Sequence, residues 1–204
     1  MTVTTATLRD WWCDTHATEA TAAQMWHSTD GRQREHALMA TELVKPFTSL
    51  YEVGCGSGPN LRLLRERYPT VRLGGSEPGE TMAQWAADRL QIHIDRVPLP
   101  ELAIKHKDWD VILAMYVLAY LDEEDVILAL RRMRDAAPRA LILAEPTGGV
   151  LGSPYGLASR NGALPEWYHD YARLLPASGW AIQWRWLVMP PVDGLNVLTI
   201  AVPI

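Results

Sequence analysis

Cysteine is scarce. Cys13 and Cys55 are the only two among 204 residues, too few for a disulfide framework, and neither stands in a Cys-x-x-Cys or Cys/His ligand spacing. Reduced thiols and no bound metal are expected. No apolar run reaches the roughly 18 residues of a membrane span, and the first residues, with Arg9, Asp10 and Asp14 among threonines, lack the apolar core of a secretory leader. A cytoplasmic location away from membranes is expected. Positive charge is also in deficit: 19 Lys and Arg face 24 Asp and Glu, a net charge of −5, which argues against DNA or another phosphate backbone as partner. The one tight basic cluster, Arg131, Arg132 and Arg134, falls in the last turns of a predicted helix, where cations complement the macrodipole. Phenylalanine occurs once, against nine tryptophans and seven tyrosines. Indoles and phenols can wall a pocket while keeping a polar handle, and they also serve a core that uses Trp where others use Phe.

What is present is organised around one stretch. Leu50 to Asn60 reads Leu-Tyr-Glu-Val-Gly-Cys-Gly-Ser-Gly-Pro-Asn: an apolar run, three glycines at alternate positions, and Pro59, suited to the first turn of a helix. The spacing predicts a strand, a tight turn and a helix start. Such a turn needs backbone dihedrals that a Cβ opposes, and the free N–H groups of the opening helix attract an anion. A dinucleotide fingerprint requires its third glycine three positions after the second, where Pro59 stands; here it comes at two, Gly58, which disfavours a nicotinamide. By itself the turn is also compatible with an ordinary strand-to-helix connection.

Ahead of it, Leu8, Trp11, Trp12 and Thr15 fall at helical spacing. Leu38, Met39, Leu43 and Val44 share a stripe within Arg34 to Lys45, which Pro46 closes, and Thr2 to Thr7 is expected to fray. Beyond it, Leu61, Leu64 and Tyr68 continue a helix to Pro69. A short strand, Val71 to Leu73, leads into Gly74-Gly75-Ser76-Glu77-Pro78, and Gly79 to Leu90 is a second helix. Gln91 to Pro100 reads as a third strand ending in a loop, and Asp108 to Tyr116 as a strand buried on both faces of a parallel sheet. Asp122 caps a helix with an acidic first turn that Pro138 ends; Ala140 to Ala144 is a fifth strand with Glu145 and Pro146 at its carboxyl end. Thr147 to Leu164, rich in Gly, Ser and Pro, is long for a plain connection and is expected to form a lid or binding loop. Pro165 opens a helix carrying Trp167, Tyr168, His169 and Tyr171. Trp180 to Met189 and Leu195 to Val202 close the chain as strands around a turn at Asp193-Gly194.

These features, in this order, resemble the class I S-adenosylmethionine-dependent methyltransferases. Gly54-Cys55-Gly56-Ser57-Gly58 is similar to the family's first motif, Glu77 stands 19 positions after Gly58, and Asp95 is followed at four and five positions by Leu99 and Pro100. Ile94 departs from the pattern, which often has glycine before the acid. The resemblance implies an α/β, Rossmann-like, seven-stranded, mostly parallel sheet with an antiparallel last strand and helices on both faces. Residues 1–47 would be a helical extension on the substrate side, with Trp11, Trp12, His16, Trp26, His27 and His36 as candidate contacts, and residues 48–204 the cofactor-binding domain. It further implies S-adenosyl-L-methionine as cofactor and S-adenosyl-L-homocysteine as product. On that reading Glu52 holds the methionine ammonium, and Gly54, Cys55, Gly56 and Gly58 let the backbone meet the methionyl part. Glu77 and Pro78 take the ribose, Met82 covers the adenine, and Asp95 accepts from its amino group. Ala114, Met115 and Tyr116 lie under the transferred methyl, with Tyr120 one turn later.

The same region excludes something. The Asn- or Asp-Pro-Pro-aromatic tetrad of exocyclic base-amine methylation and the Pro-Cys pair of cytosine C5 methylation are both absent. The expected reaction is in-line methyl transfer, without a metal, to an O, N or S atom of a small molecule. A general base is required only where the acceptor arrives protonated; His16, His27, His36, Tyr116, Glu145 and His169 are the candidates, and the sequence does not rank them. The alternatives are a protein or RNA acceptor, or a silent module that binds the cofactor without turnover. Oligomeric state is not legible.

Overall fold

The computed structural model describes residues 4–27, 38–99, 101, 104, 109–136, 139–147, 156–159, 165–188 and 196–204. Helices α1 (Thr5–Thr15), α2 (Glu19–His27) and α3 (residues 38–43) come first. Then follow β1 (Ser49–Val53), α4 (Pro59–Arg67), β2 (Arg72–Ser76), α5 (Glu80–Leu90), β3 (Ile94–Asp95), β4 (Val111–Met115), a 3-10 turn (Leu118–Tyr120), α6 (Glu123–Ala136) and β5 (Ala140–Pro146). After these come β6 (Gly156–Ser159), β7 (Pro165–Tyr168), α7 (Tyr171–Ala177), β8 (Trp180–Val188) and β9 (Asn196–Pro203).

The main sheet has seven strands in the order β3-β2-β1-β4-β5-β9-β8. Neighbours from β3 to β5 are parallel, and β9 runs antiparallel to both β5 and β8. This is the Rossmann-like sheet with its antiparallel ending. Strand periodicity divides the core in two, because successive side chains point to opposite faces. Ile112, Ala114, Leu141 and Leu143 pack with Val126, Leu130 and Met133 of α6 and Leu174 and Leu175 of α7. Val111, Leu113, Ile142 and Ala144 pack with Leu61 and Leu64 of α4 and Ala83 and Ala86 of α5. No helix among the described residues is long and apolar enough to cross a membrane.

Several local expectations change. Strand β2 does not stop at Leu73 but runs through Gly74, Gly75 and Ser76, because glycine inside a strand can serve close approach rather than a turn. A Cβ at Gly74 would lie 2.7 Å from Cη2 of Trp109, which packs against Tyr51 at a ring separation of 5.1 Å. The third strand is only Ile94–Asp95. Thr5 does not fray: α1 begins there, capped by Thr4, whose side chain accepts from the Thr7 N–H. In α3 the buried face is Ala40 and Thr41, while Met39 and Leu43 are exposed. Pro165 opens no helix. Its segment pairs antiparallel with β6, and helix α7 starts only after Asp170, whose side chain accepts from the Arg173 N–H. The β-branch-poor but aromatic run Trp167-Tyr168 fits a strand as well as a helix, and pairing decides. The turn at Asp193-Gly194 and most of Thr147 to Leu164 lie outside the described residues.

The chain crosses from one side of the sheet to the other between β1 and β4, which are neighbours. In open parallel sheets that reversal leaves a crevice at the strands' carboxyl ends.

Candidate active site

Strand β1 ends at Val53, and the chain turns through Gly54 at φ +65°. Space as well as conformation demands glycine there: a Cβ would lie 2.3 Å from Cγ2 of Val117. The turn after β4 therefore rests on the turn after β1, and the two border a cavity of about 310 Å³. Its size is within the range of small-molecule sites.

Glu77, just past β2, is 1% exposed. Its Oε2 accepts the Gly56 N–H at 3.0 Å; Oε1 accepts the Gly79 N–H at 2.8 Å and the Trp12 indole N–H at 3.2 Å. Burial pushes its pKa above the ordinary carboxylate value, against the pull of these donors. A carboxylate offers about four acceptor positions, so protein donors fill three and Oε2 keeps one. Glu52, also 1% exposed, accepts from the Asn60 amide at 2.6 Å. The buried Cys55 thiol is held far above its ordinary pKa, by burial first and then by Glu52 and Glu77, so it is a neutral packing group.

Of the expected cofactor residues, Glu52, Gly54, Cys55, Gly56, Glu77, Pro78 and Met115 line this cavity. Gly58, Met82, Asp95 and Ala114 are not among the lining residues. Gly58 is the N-cap of α4, and Met82 and Ala114 are fully buried. Asp95 accepts the Tyr51 hydroxyl at 2.7 Å and pairs with His93 at 3.0 Å, while Val97, Pro98 and Leu99 after it reach the cavity.

The opposite wall comes from Tyr116, Val117 and Tyr120 after β4, with Thr5, Arg9 and Trp12 of α1 and Met25 of α2. Thr5 ties α1 to the start of α6: its hydroxyl donates to Asp122 Oδ2 at 3.3 Å and accepts the Asp122 N–H at 3.1 Å. Asp122 also caps α6 by accepting the Asp125 N–H. Trp12 lies 3.9 Å from the His16 ring and 5.6 Å from Tyr120, centroid to centroid. The Tyr120 hydroxyl is raised above its ordinary pKa by burial, then by Glu166, Glu145 and Tyr116.

Among the described general-base candidates only Tyr116 lines the cavity. His16 Nδ1 meets the Trp12 carbonyl at 2.9 Å, and His27 is exposed at the end of α2. His36 lies outside the described residues. His169 is buried against the Leu121 carbonyl at 3.0 Å, and burial lowers its pKa. Glu145 is 0% exposed; burial pushes it up to about 7, and its Oε1 accepts from Val117 and Leu118. Among the described residues no cluster of three His, Cys, Asp or Glu could hold a metal ion. Sequence reasoning missed Asn60, Arg9, Met25 and Val117. For Asn60 a signal existed: it follows Pro59 in the first turn of α4, which faces the strand ends. Arg9, Met25 and Val117 are placed by tertiary packing alone.

Residues 51–139 match the methyltransferase domain family. No curated protein matches the chain. Among solved structures, the magnesium protoporphyrin IX methyltransferase of Synechocystis PCC 6803, with bound S-adenosylmethionine, is similar at 15% identity and TM-score 0.67, over 96% of this chain and 97% of that one. The 1,6-didemethyltoxoflavin-N1-methyltransferase of Burkholderia thailandensis, with S-adenosylhomocysteine, is similar at 17% identity and TM-score 0.74, over 97% and 88%. A sugar N-methyltransferase of Streptoalloteichus sp. ATCC 53650 is similar at 17% identity and TM-score 0.65, over 83% and 87%. At these identities the likeness is one of fold.

Proposed function

We propose that the chain is a class I S-adenosylmethionine-dependent methyltransferase and that it transfers a methyl group to an O, N or S atom of a small molecule in the cavity described above. The observation that carries the reading is Glu77, buried at the cavity between the glycine turn and the start of α5 with one acceptor position left on Oε2. A ribose hydroxyl is the donor such a position fits. The cradle at Gly54, which a Cβ would fill, lets the backbone approach the methionyl end, and Glu52 with Asn60 supplies a carboxylate for its ammonium. Cys55, Gly56 and Pro78 complete that side and Met115 backs the methyl, while Gly58, Met82, Asp95 and Ala114 stand behind the lining and support it. When bound, the cofactor supplies an electrophilic sulfonium methyl and a thioether leaving group. The chain's residues bind and orient it and exclude water.

The acceptor belongs against Tyr116, Val117 and Tyr120, under Trp12. Residues 1–47 serve as the extension on the substrate side, and 48–204 as the catalytic domain. The three solved neighbours are named for a porphyrin, a toxoflavin precursor and a sugar, which favours a small molecule here over DNA, RNA or protein. The free thiols of Cys13 and Cys55 suit the cytoplasm.

Calorimetric titration with S-adenosylmethionine and S-adenosylhomocysteine tests the reading. Micromolar binding by the parent is expected, weakened by about 1–3 kcal/mol in Glu77→Gln, whose amide turns donors toward donors. A folded parent that binds neither compound would overturn the cofactor site.

A further inference from the structure

We infer that Glu145 is the positioning residue of the acceptor wall: its buried carboxyl oxygen sits in a nest of backbone N–H groups and holds the turn after β4 in the form that brings Tyr116 and Val117 to the cavity. The inference rests on the proposed function only in calling this wall the acceptor side.

Tyr116 is not a glycine, yet it takes φ +54°. Val117 follows in the right-handed region at φ −119°, ψ −35°. A left-handed and right-handed pair aims successive N–H groups into one concavity, which attracts an anion. Here the chain supplies its own. Strand β5 lies beside β4, the Tyr116 N–H donates to the Ala144 carbonyl at 3.1 Å, and the next residue, Glu145, presents Oε1 to the Val117 N–H at 3.0 Å and the Leu118 N–H at 3.1 Å. A tyrosine in this conformation persists only when its surroundings over-determine it, and two charge-capable bonds immediately after it do so. With the turn held, Val117 lands on Gly54, so the position of the acceptor wall is referred to the cofactor turn.

The other side of the carboxyl gives no comparable reason for burying an acid. Oε2 and the nearby Tyr171 hydroxyl have no hydrogen-bond partner among the described residues. Facing this carboxyl are Glu166 of β7, Tyr120 of the 3-10 turn and Tyr171 of α7. His169 touches the same turn through the Leu118 and Leu121 carbonyls.

Amide NMR on the ligand-free full chain tests this. Between about pH 5.5 and 8.5 the Val117 and Leu118 amide protons of the parent are expected to shift together with one midpoint, as the carboxyl they face ionises. In Glu145→Gln the step vanishes, while the amide oxygen preserves slow hydrogen exchange at both positions. In Glu145→Met, similar in size but without an acceptor, exchange at 117 and 118 accelerates by about tenfold or more relative to α4 and α5. A step that survives in Glu145→Gln would trace to Glu166 or His169 and overturn the assignment, as would unchanged protection in Glu145→Met. Should the Met variant fail to fold, the Gln titration decides alone. None of these readouts uses the cofactor, so failure of the cofactor reading would leave them intact.

Discussion

Glu77 and Glu145 are both buried acids at the ends of strands in one sheet, and both receive backbone N–H groups, yet they are supplied from different ranges of the chain. Glu77 draws on Gly79, two residues away, and on Gly56, at the far end of one strand-helix-strand unit. Glu145 draws on Val117 and Leu118, 28 and 27 residues earlier, across a strand pairing and helix α6. The side proposed for the cofactor is built around the backbone of the glycine turn; the side proposed for the acceptor is made of side chains borrowed from α1, α2 and the turn after β4. Backbone recognition leaves a local pattern in a sequence, and assembled walls do not.

The largest break in this contrast is expected where the two sides touch. Gly54→Val places a β-branched side chain at φ +65° and 2.3 Å from Val117. A loss of about 3 kcal/mol or more is expected in urea unfolding, together with loss of S-adenosylhomocysteine binding. Near-parental stability would mean that the acceptor wall can lift off the cofactor turn.

Next in size is a pH-dependent effect at Glu145. Its pKa rises from 4.5 to about 7 on folding, chiefly through burial. The folded state therefore keeps a proton that the unfolded chain releases between those values. This contribution to stability is complete below about pH 4.5 and is lost as pH rises through about 7. Glu145→Gln removes the dependence: relative to the parent it should gain stability with pH, by roughly 2–3 kcal/mol between pH 5 and 8. A difference that is flat with pH would mean that the carboxyl is solvated.

The smallest effect sharpens the contrast at Trp12, the one donor to Glu77 that comes from outside the cofactor unit and the longest of the three bonds. A ribose presents two hydroxyls to a carboxylate with one vacant position. Trp12→Phe keeps an aromatic ring without the N–H donor and frees a second position on Oε1. S-adenosylhomocysteine binding should tighten a few-fold, under about 1 kcal/mol. Weaker binding would show that the indole N–H remains on Glu77 when the ligand is bound.

The glycine turn, the seven-stranded architecture and the place of Glu52 and Glu77 at the cavity were legible because each expresses a local requirement: dihedrals closed to a Cβ, alternation along a strand, an acid at the edge where two strands end. Errors came where a local pattern has two solutions. Gly74-Gly75 reads as the end of a strand until Trp109 is seen packed over Gly74, and Pro165 to Tyr168 reads as a helix until β6 pairs with it.

The chain by itself therefore determined the α/β order, the strand-turn-helix at Gly54 to Pro59, and the acid at the end of β2, since these depend on residues within one supersecondary unit. Tertiary structure alone decided that Tyr51 reaches Asp95, that Trp12 reaches Glu77, and that Glu145 meets the turn after β4. Those are contacts between segments far apart in sequence, and no local spacing encodes which distant donor arrives at a buried acceptor.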